Sequence, residues 1–318
     1  MKPSFELETS CPAKLNLFLK VGYRRDDGYH AVDTIMTTLA LSDTLIIRAQ
    51  SDDSACFRLR CLNEAGQPIL EALPLEQNLV TRAFRQMYPY LPPEIQAMRF
   101  DVTLIKRIAV QAGLGGGSSN AASMVLALNK WAGLPDSALL AIGQRLGADV
   151  VFFLLCGVHH QAVLNLTGRG DVLAEKQPSA NFATKMSKKM PEIVIIKPHD
   201  VGVSTKEAYC WLNALKNDLK SEVCHRGSSQ ELLQAMAHQE DVSQWPVYND
   251  FEPVMQRYVA AVYEVMSSLK ELGAPLVLLC GSGAAVAGFF HNEALIREKL
   301  AARFPANRFT VIWTRMST

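Results

Sequence analysis

Residues 113–119 read GLGGGSS, four glycines in five positions followed by two serines. The run follows an alternating apolar stretch, RFDVTLIKRIAV at 99–110, and precedes an alanine-rich one, SSNAASMVLALNKWAGL at 118–134. The first has the period of a strand. The second carries Ala122, Val125 and Leu128 at helical spacing, with Gly133 as a stop. The glycines therefore join a strand to the N-terminus of a helix. Glycine loses more conformational entropy on folding than any other residue. Such a run is a loose connector, or a place where the backbone itself must touch something. Its position favours contact, because a loop that feeds a helix is already ordered at one end. Glycines let backbone N–H groups approach phosphate oxygens, and a helix N-terminus adds about half a positive charge. A Walker A loop is excluded: counted from Gly113, its Gly-Lys-Ser/Thr positions hold Ser118, Ser119 and Asn120. A dinucleotide fingerprint is excluded too, because its third glycine would be Ser118.

The rest of the chain sets bounds on this reading. Its 318 residues suit one large domain or two of ordinary size. Hydrophobic residues make up 49% and charged residues 20%, which allows a sizeable core. The formal net charge of +1 argues against an extended nucleic-acid footprint, so no nucleic-acid partner is expected. The N-terminus lacks the apolar core of a signal peptide. The longest apolar run, VVFFLLCGV from Val150, is too short to span a bilayer as a helix, so no membrane partner is expected. Seven cysteines with no CxxC pair fit free thiols in a reducing compartment. The expectation is a cytoplasmic protein of two domains.

Strands are expected over KLNLFLKVG from Lys14, DTLIIRAQ from Asp43 and IVIIKP from Ile193, with a turn at RRDDGYH between the first two. PDSALLAIGQRLG reads as a helix capped by Asp136 and ended by Gly147. A polar segment, AEKQPSANFATKMSKKMPE at 174–192, is the linker candidate. It divides the chain into 1–175 and 192–318, with 176–191 between. Beyond it come a helix over STKEAYCWLNAL, one long helix over PVMQRYVAAVYEVMSSLKELG, a strand–turn–strand over LVLLCGSGAAVAGFF and a closing strand, RFTVIWTRM. The class is α+β.

Two charged residues invite a chemical reading. Asp149 in LGADVVFF follows a helix terminator and precedes an apolar run; it is either the N-cap of the next helix or a functional carboxylate. Lys14 is the only charge in PAKLNLFL; it is either an edge-strand lysine that reaches solvent or a functional cation. A carboxylate, a lysine and a phosphate cradle together suit phosphoryl transfer to a hydroxyl. Adjacent His159 and His160 would alternate to opposite faces of a strand, so a shared metal is not expected.

PAKLNLFL (12–19), DGYH (27–30), GLGGGSSNAA (113–122), LGADV (146–150), GRGD (168–171), KPHDVGVST (197–205), NDFE (249–252) and CGSGAAV (280–286) follow one another in an order that resembles the GHMP kinase superfamily over nearly the whole chain. The glycine loop alone points to the superfamily. PAKLNLFL closely followed by DGYH points to its branch acting on a cytidine diphosphate-linked methylerythritol in non-mevalonate isoprenoid synthesis. That resemblance implies a two-domain α+β fold with the active site in the cleft between domains. It implies ATP as donor with Mg²⁺, and the triphosphate over Gly113, Leu114, Gly115, Gly116, Gly117, Ser118 and Ser119. It places Asn78 and Lys106 near the adenosine, Lys14 and Asp149 as the catalytic pair, and Asn16 beside the acceptor sugar. Tyr29 and His30 match the cytosine-binding pair, and Tyr209 matches a second aromatic. No metal ligand is assigned. The sequence departs from the usual pattern at Val151, which stands for a proline, and at Ala109 and Gln111, which stand for Pro and Gly.

Overall fold

The computed structural model describes residues 4–51, 56–69, 74–179, 182, 190–218 and 227–317. The contacts divide into two compact units that interleave along the chain. The first holds residues 1–13, 41–108 and 115–161; the second holds 14–40, 109–114 and 162–318. The segment read as a linker at 176–191 falls within the second unit, and its residues 180, 181 and 183–189 lie outside the described residues.

In the first unit, the start of β1 (Ser4–Arg24) and the end of β2 (His30–Ser51) are followed by β3 (Phe57–Leu62), α1 (Leu79–Met87) and the short α2 (Pro93–Gln96). β4 (Met98–Ile105), α3 (Gly116–Ala132), α4 (Asp136–Leu146) and α5 (Ala148–His159) complete it. β4 pairs antiparallel with β2, from Thr44 opposite Ile105 to Ser51 opposite Met98, and parallel with β3. Alternation places Phe100, Val102 and Leu104 of β4 in the core. α3 starts at Gly115, whose φ of +69° needs glycine, and ends at Gly133, whose N–H donates to the carbonyl of Asn129 (2.9 Å). Buried Ala121, Ala122, Val125 and Leu128 let α3 pack closely on α1 and α5.

In the second unit, β5 (Val163–Thr167) pairs antiparallel with residues 34–37 of β2, and β6 (Val172–Leu173) pairs with β5. Four antiparallel strands form a separate sheet in the order β11–β7–β10–β9: β7 (Glu192–Pro198), β9 (Leu276–Leu279), β10 (Val286–Phe290) and β11 (Phe309–Thr314). Around them lie α6 (Thr205–Asp218), α7 (Ser229–Ala237), α8 (Glu252–Tyr258), α9 (Ala260–Glu271) and α10 (Glu293–Arg303). The two-residue β8 (Tyr248–Asn249) pairs parallel with β1 at Phe18 and Leu19. Val194, Ile196, Phe251, Met255, Val265, Leu269 and Val286 form the centre of this unit's core.

Four local expectations change. The single long helix is two, because Val259 leaves the helical backbone (φ −138°, ψ 73°) between α8 and α9. Pro135, not Asp136, is the N-cap of α4; Asp136 is the first helical residue and complements the helix dipole there. His159 and His160 end helix α5 rather than lying in a strand, and His160 is its left-handed cap, with φ +52°. Lys14 is no solvent-reaching edge residue, since it is only 5% exposed.

Candidate active site

The cradle begins at the end of β4. Asp43 is fully buried, and a buried carboxylate is stable only when its oxygens are satisfied. Its Oδ1 accepts from the backbone N–H of Arg107 (2.7 Å) and Ile108 (2.9 Å). Its Oδ2 accepts from Asn120 Nδ2 (2.9 Å) and from the Lys106 ammonium. Lys106 also donates to Asn120 Oδ1 (3.1 Å). The exit of β4 and the first turns of α3 are thus tied to one carboxylate. A Cβ on Gly116 would come within 2.9 Å of Ile108 Cγ2 and 3.3 Å of Lys106 Nζ, so the loop must stay free of side chains there.

At the start of α3, Ser119 N–H donates to Gly115 carbonyl (2.9 Å), the first helical bond. The N–H groups of Gly116, Gly117 and Ser118 precede it and have no intrahelical acceptor. Gly115 supplies no side-chain cap. Ser119 Oγ is buried without a hydrogen-bond partner among the described residues. Unclaimed donors, a glycine-lined approach and an orphaned hydroxyl fit a phosphate chain. Asn78 caps α1, its Oδ1 accepting from Val80 N–H (2.9 Å), and its Nδ2 lies 3.9 Å from Cys61 Sγ.

Asp149 lies in the first unit, half-buried, as the second residue of α5. Gly147 holds the cap position, so Asp149 is not the N-cap.

Lys14 lies in the second unit, where its backbone N–H donates to Leu114 carbonyl (2.9 Å). The Lys14 ammonium donates to Asn16 Oδ1 (2.6 Å). These residues are two apart on β1 and share a face. A second glycine loop, Cys280–Gly283, covers them: a Cβ on Gly281 would meet Gly113 carbonyl and Lys14 Nζ at 3.0 Å each. Asn249 holds that loop, its Nδ2 donating to the carbonyls of Leu279 (3.1 Å) and Gly281 (2.8 Å). Burial pushes the Cys280 thiol up to about 12, so it stays protonated at neutral pH and is no nucleophile.

The hairpin turn between β1 and β2 builds a further cluster. His30 Nδ1 faces the Gly22 carbonyl (3.2 Å), which only accepts, so Nδ1 carries the proton. His30 Nε2 then accepts from Asn213 Nδ2 (3.4 Å) on α6. Tyr209, one turn earlier on α6, stacks on His30 with ring centroids 5.3 Å apart and meets Phe251 edge-on at 5.0 Å. Tyr29 is 58% exposed, with the Arg169 guanidinium 5.0 Å from its ring centre. Asp171, nearly buried, accepts from Arg169 Nε (3.1 Å) and Nη2 (2.7 Å). The structure therefore brings His30 and Tyr209 together, and seats Tyr29 with Arg169.

Asp43, Arg169, Asn213 and Asn249 were not singled out as site residues from the sequence. Arg169 and Asn249 stand in GRGD and NDFE, so their signal was present without a role attached. Asp43 is one of two carboxylates on β2, and nothing beside it in sequence names its partners.

A family model described as "GHMP kinases N terminal domain" matches residues 78–157. The protein named 4-diphosphocytidyl-2-C-methyl-D-erythritol kinase in Syntrophus aciditrophicus (strain SB) is 34% identical over 298 residues, covering 92% of both chains. The chain belongs to the 4-diphosphocytidyl-2-C-methyl-D-erythritol kinase family. Among solved structures, a 4-(cytidine 5'-diphospho)-2C-methyl-D-erythritol kinase superposes with a TM-score of 0.69 at 27% identity, covering 98% of this chain and all of that one. A homoserine kinase from Cytophaga hutchinsonii superposes at 0.64 with 14% identity, covering 98% of this chain and 95% of that one, and shares the fold alone.

Two of the departures, Gln111 and Val151, have local consequences. Gln111 adopts a left-handed backbone, with φ +52°, where glycine is the usual residue. That conformation costs a non-glycine residue about 1–2 kcal/mol. Gln111→Gly should relieve it, minus about 0.4–1 kcal/mol of added unfolded-state entropy. A slightly raised melting temperature with unchanged ATP affinity is the expected result. A lowered one would show that the Gln111 side chain, which packs beside Gly202, outweighs the strain. Val151 N–H donates to Gly147 carbonyl (3.3 Å), a bond that a proline there could not make.

Proposed function

We propose that the protein transfers the γ-phosphoryl group of ATP to a hydroxyl of 4-diphosphocytidyl-2-C-methyl-D-erythritol, giving the 2-phosphate, an intermediate of isoprenoid precursor synthesis. The observation that carries this reading is the buried Lys14 ammonium, held by Asn16 beneath two glycine loops, in a chain matching these kinases end to end. The backbone of Gly113–Ser119 would take the triphosphate, and Lys106 would brace it while Asn78 serves the adenosine side. Mg²⁺ would accompany the nucleotide and neutralise phosphate charge. The Ser119 hydroxyl, buried without a hydrogen-bond partner among the described residues, would lie beside the phosphates.

Asp149 would orient the acceptor hydroxyl and take its proton. Carboxylates are weak bases at neutral pH, so alignment counts as much as proton removal. Lys14 would offset charge on the acceptor oxygen and the phosphoryl group, and Asn16 would sit beside the sugar. His30, protonated on Nδ1, offers Nε2 as an acceptor, which suits the exocyclic amine of cytosine once Asn213 gives way. Tyr29 and Tyr209 would provide ring faces for the base. Residues 1–175 would form the ATP-binding part and 192–318 the C-terminal part. Six described cysteines are all unpaired, which supports work in the cytoplasm. No helix among the described residues is long and apolar enough to cross a membrane.

The test is a coupled assay of ADP release with the cytidyl substrate, mevalonate and homoserine as acceptors. Turnover confined to the cytidyl substrate is expected; turnover of another acceptor alone would sink the proposal. His30→Ala and Tyr209→Ala should each cost about 1–3 kcal/mol in kcat/KM for the cytidyl substrate. ATP affinity should hold. An equal loss for both substrates would assign these rings to packing rather than recognition.

A further inference from the structure

The Lys14–Asn16 pair does not end at Asn16. Asn16 Nδ2 donates to Thr34 Oγ1 (2.9 Å), and Thr34 O–H donates to the backbone carbonyl of Phe18 (2.6 Å). Lys14, Asn16 and Thr34 are 5%, 3% and 1% exposed, so bulk water competes little for these bonds. All the partners lie within one compact unit, on β1 and β2.

The chemistry of the groups fixes every direction in this chain. A carbonyl oxygen only accepts, so the Thr34 hydroxyl must spend its one proton on Phe18. Towards Asn16 the hydroxyl can then only accept. The Asn16 atom facing it must be the NH₂, although oxygen and nitrogen of a carboxamide have nearly the same shape. Oδ1 is thereby turned towards Lys14, whose ammonium only donates. A flipped amide would set NH₂ against ammonium, donor against donor, and carbonyl against an oxygen whose proton is committed elsewhere. The flip is disfavoured at both ends.

We propose that Thr34 is a positioning residue for phosphoryl transfer: its hydroxyl sets the orientation of the Asn16 carboxamide and so holds the Lys14 ammonium in place. The proposal rests on the kinase reading of Lys14. Thr34 touches neither reacting group; it acts through Asn16. The 18-residue separation of Asn16 and Thr34 explains why no local motif announces the role.

Thr34→Val removes the hydroxyl at nearly constant volume. With Asn16 held only at its Lys14 end, kcat should fall on the order of tenfold, the scale expected when a catalytic group shifts by part of an ångström. KM for ATP should stay within about twofold, because the groups that hold the nucleotide are untouched. Thr34→Ser should restore kcat. On an Asn16→Ala background, Thr34→Val should cost nothing further, since its route of action is already gone. A crystal structure of Thr34→Val should show Lys14 Nζ displaced from its contact with Asn16 Oδ1. Equal losses in the serine and valine variants, a full additional loss on the Asn16→Ala background, or an undisturbed Lys14–Asn16 contact would each overturn the proposal. Should the valine variant fail to fold, Thr34→Ala takes its place with the same readouts. Wild-type turnover of the cytidyl substrate reports separately on the kinase reading, and the variant crystal structure decides the role of Thr34 whatever that turnover is.

Discussion

Asparagine in place of Asp149 should lower kcat by about 100-fold or more, with the fold intact. The substitution keeps the side chain's shape and hydrogen-bonding reach. It removes the negative charge and the ability to accept a proton. The structural alternative for an acidic residue at a helix start is capping, and Asn caps as well as Asp does. Here that alternative is closed, because Gly147 occupies the cap position and Asp149 is the second helical residue. One structural contribution that stays is the attraction between a carboxylate and the N-terminal dipole of α5, about 0.3–1 kcal/mol. A small drop in melting temperature therefore belongs to such structural contacts, and a large drop in turnover belongs to the chemistry. Steady-state kinetics and a melting curve on one preparation separate the two. Near-normal turnover would remove Asp149 from the catalytic pair.

The strand and helix periods in the sequence were enough to place the glycine run between β4 and α3, because β4 alternates into the core and Gly133 ends a helix that is buried on nearly every side from Ser119 to Val125. The break at Val259 could not be read in the same way. Val254 and Met255 before it, and Val262, Val265, Met266 and Leu269 after it, keep the phase of one continuous helix. Periodicity therefore shows no interruption at that residue. The sequence offers single residues for the candidate site where a motif carries them, as with Lys14, Asn16 and His30. Asp43 and Thr34 are not offered in this way, for a common reason. Both stand on β2 among other polar residues, Asp33, Thr37, Thr38 and Ser42 included, and what sets each apart is a partner brought by folding: Asn120 for Asp43 and Asn16 for Thr34. A buried polar residue needs partners, but its neighbours in sequence do not say which. Tyr209 is matched to a second aromatic only by the resemblance, while its stack on His30 depends on how α6 meets the β1–β2 turn and has no local signal.

Gly113→Ala should abolish ATP binding and cost roughly 3 kcal/mol or more of stability, the sum of overpacking and left-handed strain. The added methyl would lie 1.8 Å from the carbonyl oxygen of Cys280 and 3.1 Å from that of Gly283. Both obstacles are backbone, so no side chain can swing aside. The φ of +76° adds a second penalty, since alanine resists the left-handed region that glycine enters freely. One of the two glycine loops has to move. If the 113 loop moves, the Lys14 N–H loses its bond to the Leu114 carbonyl and the cradle loses its shape. If the Cys280 loop moves, the cover over Lys14 and Asn16 opens, and the Asn249 bonds to Leu279 and Gly281 break. Either route disturbs the Gly113 loop or the lysine, so on the kinase reading binding and stability should fall together. Gly117→Ala provides the internal contrast, because its nearest obstacle is a flexible Leu79 methyl at 3.8 Å. It should keep the fold and lose affinity only so far as the methyl shields the phosphate. Calorimetry with a non-hydrolysable ATP analogue, alongside thermal unfolding of both variants, distinguishes the outcomes. Unchanged affinity in Gly113→Ala would return the glycine run to the status of a connector, because the methyl displaces backbone at Cys280 and a cradle could not keep its ligand through that shift.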